Sequence, residues 1–180
     1  MSTVLVVVAA ALLIVGVVTV VVRRSAAPRR ALTRDLDDRL AAALGPGTGS
    51  HLDRAPTVRR LAVEEEGEGT LLVPIVRIDF DTTDAPGMEL VFEYVADAIE
   101  AMQPAFETHD ERVSHYEIEC TFGPDGLIVA GECRRVSVPV EFADRLVGDN
   151  SYRAFDLRQD VKRGDGREGA VSTLWDECRS

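Results

Sequence analysis

The stretch HYEIECTFGPDGLIVAGECRRV, residues 115–136, carries the clearest fold signal in the chain. Its centre, Gly123-Pro124-Asp125-Gly126, has strong turn chemistry: proline presets φ, aspartate bonds its own backbone, and glycine accepts positive φ. A hairpin closed there pairs Phe122 with Leu127, Cys120 with Val129, Ile118 with Gly131 and Tyr116 with Cys133. Side chains alternate along a strand. Those eight therefore share one face, and His115, Glu117, Glu119 and Thr121 share the other. Register and hydrophobic alternation agree, which is what a specified strand pair requires. On this reading Cys120 and Cys133 lie on the core face roughly 13 Å apart, beyond disulfide reach. With Cys178 they make an odd count without C-x-x-C, which argues against a disulfide framework and a zinc site and fits a reducing compartment.

Working upstream, Met88, Val91, Phe92, Val95, Ile99, Met102 and Phe106 recur at helical spacing and form a wide apolar face. Glu89, Glu93, Asp97 and Glu100 line its wet side. Residues 58–63 and 70–80 read as strands joined by a charged turn, with Pro74 marking an edge or a bulge. In ALTRDLDDRLAAAL, residues 31–44, Leu32, Leu36, Leu40 and Leu44 make an amphipathic helix ended by Gly45-Pro46. It is expected to pack on the soluble domain, lie at the interface, or pair with a second copy. Downstream, residues 140–148 and 151–163 look helical, and residues 170–175 read as a last strand or a docked tail. The order helix, two strands, helix, two strands, helices implies an α+β domain: a two-layer antiparallel sheet with helices on one face.

The N-terminus is of another kind. Residues 3–22 carry no charge, and ten of the twenty are Val. Twenty helical residues reach roughly 30 Å, the hydrocarbon thickness of a bilayer. Arg23, Arg24, Arg29, Arg30 and Arg34 follow at once, and no Lys or Arg precedes. A cleavable signal wants its charges before a shorter apolar run, so a retained transmembrane helix is expected. The positive-inside tendency puts the N-terminus out and the bulk of the chain in the cytoplasm. The same arginines suit anionic lipid head groups. The expected layout is a transmembrane helix at 1–22, a basic juxtamembrane segment and amphipathic helix at 23–45, a Gly/Pro-rich linker at 46–57, an acidic α+β domain at 58–163, and a mobile loop with the C-terminal tail at 164–180.

The net charge is −11, and with the five arginines of residues 23–34 set aside the rest carries 15 basic against 31 acidic residues. Such a surface excludes nucleic acid, whose binding needs a basic face. Nineteen of the twenty basic residues are Arg, and Lys162 is the one Lys. Acidic excess with almost no Lys resembles the composition of haloarchaeal, salt-adapted proteins. The resemblance implies an environment of molar salt, where acidic self-repulsion is screened, and it implies no activity.

Chemistry is sparse. Asp79, Asp81 and Asp84 in DFDTTD offer hard oxygen ligands for Mg²⁺ or Ca²⁺. Read as a calcium loop, however, the motif has Asp84 where Gly is needed and Leu90 where Glu is needed. The plainer reading is an acidic strand end followed by a helix cap. GDGREG, residues 164–169, has the letters of a dinucleotide loop without a strand before it. No catalytic residue, cofactor site or firm metal site emerges. The expected role is binding or scaffolding of a protein partner at a membrane. The rival is an enzyme or small-ligand-binding domain with an unmarked site, and a third reading places the domain outside the cell.

Overall fold

The computed structural model describes residues 29–47, 50–67, 69–123, 131–165 and 171–178. In chain order the elements are α1 (residues 29–43), β1 (Thr57–Glu66), β2 (Gly69–Asp79), α2 (Met88–Thr108), β3 (His115–Phe122), β4 (Glu132–Pro139), α3 (Val140–Gly148), α4 (Ala154–Gly164) and β5 (Thr173–Glu177). The expected transmembrane helix, with Arg23 and Arg24, lies outside the described residues. Among those described, no helix is long and apolar enough to cross a membrane.

The strands form one five-stranded sheet in the order β1-β2-β3-β4-β5. The α+β class is as expected, but the wholly antiparallel sheet is not. β2 and β3 run parallel, whereas the other neighbours are antiparallel. The cause is α2: a 21-residue helix between two adjacent strands carries the chain back across the layer, and such a crossover returns the next strand in the same direction. Pro74 therefore sits in a central strand, not an edge. The pairing of β2 with its neighbour does slip by one residue across it, since Leu72 bridges Val113 while Ile75 pairs with Glu117.

Leu72, Val76, Ile78 and Phe80 of β2, with Tyr116, Ile118, Cys120 and Phe122 of β3 and Val136 and Val138 of β4, are buried in the common core. Val91, Phe92, Val95, Ile99, Met102 and Phe106 of α2 join them, so the helical periodicity read from the sequence is the face that is buried. Leu32, Leu36, Leu40 and Leu44 lie in the same core. Each fully buried leucine is worth about 1.5–3 kcal/mol, which ties α1 to the domain. The segment after α1 is anchored too: Leu52 is buried and bridges Phe80, and the Val58 N–H donates to Asp37 Oδ1 at 2.8 Å.

The β3–β4 hairpin is antiparallel, but its register differs from expectation. Phe122 pairs with Glu132, Thr121 with Cys133 and Tyr116 with Val138. Gly123, at φ +92°, takes the chain out of β3. Residues 124–130, with Leu127 and Val129, lie outside the described residues. The pairing is displaced by five residues, an odd number, so β4 turns its other face to the core. Cys133 moves off the core side and forms a disulfide with Cys178, at a Cα–Cα distance of 5.5 Å. The expectation of unpaired cysteines thus holds for Cys120 alone, which is buried and free; burial pushes its thiol up to about 12. The tail is a strand: β5 pairs with β4, and Trp175 stacks on Phe122 at 6.0 Å.

Candidate functional site

The side of the sheet away from the core carries no helix among the described residues, and its composition is unusual. Along one row, strand neighbours are Arg77 on β2, Glu119 on β3, Arg135 on β4 and Asp176 on β5. The signs alternate across four strands. Arg77 meets Glu119 at 2.9 Å, and Arg135 meets Glu117 at 3.4 Å and Asp176 at 3.9 Å. The Arg135 side chain is only 5% exposed, and the Nε atoms of Arg135 and Arg77 are buried without a hydrogen-bond partner. Burying a guanidinium costs several kcal/mol unless carboxylates compensate. Glu119 supplies that compensation to Arg77, and Glu117 and Asp176 supply it to Arg135.

Beside this row the β2 positions are apolar, although their neighbours on β1 and β3, Arg60 and Glu117, are charged. Val73 and Ile75 on β2 are 3% and 6% exposed, although they face away from the main core. Arg60 and Glu64 of β1, Glu117 and Glu119 of β3, and Arg135 surround them, leaving a hollow of about 150 Å³ that Ala62 and His115 also line. Long charged side chains cover apolar surface with their stems while their heads stay wet. His115 lies 3.8 Å from both Glu64 and Glu117, and its Nδ1 is 3.2 Å from Ser114 Oγ.

Two larger clefts open at the sheet ends. At the C-terminal ends of the parallel pair, a cleft of about 760 Å³ is lined by Arg54, Arg77, Asp79, Asp81, Thr82 and Thr121 among others. Burial alone would raise the Asp79 carboxyl. Hydrogen bonds from Arg54 and Thr121, with the charges of Arg54 and Arg77, outweigh it and hold the group below the ordinary value of 3.8. Asp79 is thus already ion-paired, with Arg54 Nε at 2.6 Å. Asp81 is exposed in the same cleft; Asp84 is exposed outside it, and its main-chain oxygen accepts from Thr82 Oγ1 at 2.9 Å. The three aspartates do not converge as a ligand set. Among the described residues the set that does is Glu119, Cys133 and Cys178, within 4.8 Å. There the sulfurs are joined to each other and Glu119 is held by Arg77, so no metal is accommodated while the disulfide is intact.

The opposite cleft, about 870 Å³, is lined by Phe106, Val113, Val140 and Phe142, with Glu107, Asp110, Glu111, Glu141 and Asp144 as acids and Ser114 between. His115 and Asp79 do not meet: Thr121, which pairs with Asp79, lies six positions along β3 from His115, roughly 20 Å. Arg29, Arg30 and Arg34 are exposed on α1. The sequence reading placed His115, Glu117, Glu119 and Thr121 together on the face away from the core, and they are there. It missed Arg77 and Arg135. Their signal was a charge at the alternate position of an apolar strand. No protein-family model, curated protein or solved structure matches the chain.

Proposed function

We propose that this chain is a membrane-tethered binding module that holds a protein partner on the open face of its sheet. The observation that carries the reading is the hollow over Val73 and Ile75. It has an apolar floor, a rim of both charge signs in which Arg135 meets Glu117 and Arg77 meets Glu119, and too little volume for a small-molecule site of roughly 300–1,000 Å³. Val73 and Ile75 are nearly covered, so an apolar side chain of a partner lies on the aliphatic stems of Arg60, Glu64 and Arg135 above them, and the charged heads supply polar contacts. The tether is residues 3–22, read from their length and lack of charge. The test is a crosslinking pull-down of the full chain at native salt, against residues 1–28 alone. A protein enriched by the full chain supports the reading; equal recovery by both contradicts it.

The orientation draws on two opposed arguments. The arginines after the span favour a cytoplasmic domain. The Cys133–Cys178 disulfide favours an oxidising compartment, and so a domain outside. Protease protection in sealed vesicles separates them.

A second reading rests on Ser114 and His115. The Ser114 hydroxyl lies against an imidazole that sits between two carboxylates, and it borders the larger cleft. Nucleophile, base and orienting acid are the elements of acyl-transfer chemistry. Covalent labelling of Ser114 by a fluorophosphonate, abolished by His115→Ala, supports this reading. No labelling of the parent chain contradicts it.

A further inference from the structure

β1 is an edge of the sheet, and its sequence from Arg59 to Glu65 is RRLAVEE. Two positive residues precede three apolar ones, and two negative residues follow. Read against itself in the opposite direction, the segment is complementary in charge. We propose that two copies of this chain join edge to edge through β1, antiparallel about a two-fold axis at Ala62, so that both sheets become one.

The backbone of β1 is set for this. The Leu72 N–H donates to Arg112 O at 2.8 Å, and Leu72 O accepts from the Ser114 N–H at 2.9 Å. Both main-chain groups of Leu72 therefore point away from β1. Its partner on β1 is Val63, which must then form a non-hydrogen-bonded pair with it and point its own N–H and C=O outward. By the two-residue repeat, Leu61 and Glu65 do the same. No main-chain bond among the described residues meets them, and Val63 is 39% exposed.

Only certain registers satisfy those groups. With Ala62 opposite Ala62, each Leu61 faces Val63 of the second copy, and such a pair exchanges both of its N–H···O bonds. Arg60 then faces Glu64, and Arg59 faces Glu65, on both sides of the axis. A register moved by two residues sets Val63 on Val63 and leaves Glu64 opposite Ala62. Parallel pairing sets arginine on arginine, which is destabilising. Edge strands are ordinarily guarded by charges and bulges, and β1 has a bulge between Val58 and Arg60. Here the order of the charges makes the guard attractive to one partner, this same strand. The contact is isologous, as a two-fold interface requires. Arg60, Ala62 and Glu64 face the open side, so both hollows lie on one surface of the joined sheet.

The test uses the full chain in non-denaturing detergent. Ala62→Cys sets two thiols at a non-hydrogen-bonded pair, where Cα atoms lie about 4.5 Å apart, within disulfide range. Cys133 and Cys178 are already joined and Cys120 is buried, so the new thiol is the accessible one. Under mild oxidation, Ala62→Cys is expected to give a covalent dimer at least about tenfold faster than Glu100→Cys on the exposed side of α2. In the Ala62→Cys background, Arg59→Glu/Arg60→Glu and Glu64→Arg/Glu65→Arg should each lose that dimer alone, and regain it when mixed. Cross-linking no faster than Glu100→Cys, or charge variants that dimerise alone as well as they do together, would overturn the proposal.

Discussion

Replacing Cys178 with serine removes a bond that closes the C-terminal part of the domain. The two cysteines are 45 residues apart in sequence. A cross-link closing a loop of that length removes denatured-state entropy worth about 4 kcal/mol at 25 °C. For a domain of this size, 1 kcal/mol moves Tm by roughly 2–4 °C, so the variant should melt roughly 8–16 °C lower. Between the cysteines lie most of β4, α3, α4 and all of β5, so the bond restrains the segments that close one end of the core. Without it, β5 retains three cross-strand pairs with β4 and the stacking of Trp175 on Phe122. The assays are a thermal melt, which reads Tm, and urea unfolding, which reads the loss of about 4 kcal/mol, both on the full chain by fluorescence of Trp175, the one tryptophan in the sequence. The parent with a dithiol reductant, Cys133→Ser, Cys178→Ser and the double variant should all lose the same stability, because all four remove one bond. Losses that add between the two single variants, or a parent indifferent to reductant, would refute the reasoning.

Leu36→Ala in α1 should cost about 3–5 kcal/mol by cavity formation in a thermal melt, since Leu36 is fully buried; a loss below about 1 kcal/mol would place α1 off the domain. Asp79 contributes to acid stability with a definite sign. Its folded pKa is lowered, so its contribution is present above its ordinary 3.8 and is lost as pH falls below that value through the folded one. Asp79→Asn should flatten that acid limb of a pH–stability profile, and an unchanged limb would contradict the ion pair with Arg54. The proposal that the acidic, lysine-poor composition is a salt adaptation predicts that the full chain unfolds on dilution from molar KCl to dilute buffer, as followed by circular dichroism; a fold unchanged over that range would refute it.

Much of the architecture was legible because it is local. The spacing of Met88 to Phe106 set α2 and its buried face, and the leucines of α1 were periodic enough to mark a helix. Alternation alone put His115, Glu117, Glu119 and Thr121 on the outer face. What failed was non-local. The turn at Gly123 to Gly126 and the alternation beyond it fit a tight hairpin. Yet the sequence of β4 alternates just as well five residues along, with Val136 and Val138 inward, and tertiary packing chose that register. The slip hid the Cys133–Cys178 disulfide, because it moved Cys133 to the other face. The parallel step from β2 to β3 depends on where the chain lands after α2, which strand patterns do not encode. The charged row was visible only as isolated arginines at 77 and 135, and it needs four strands in register before it becomes a feature.

The central claim is that the open face is where a partner docks. A photo-reactive side chain at Asp176, on β5 and 65% exposed at the outer end of the charged row, tests it most directly when compared in intact cells with one at Glu100 on the far side of the domain. Capture of the same protein from Asp176 but not from Glu100 is the predicted result. Equal capture at both positions, or capture from Glu100 alone, would contradict it.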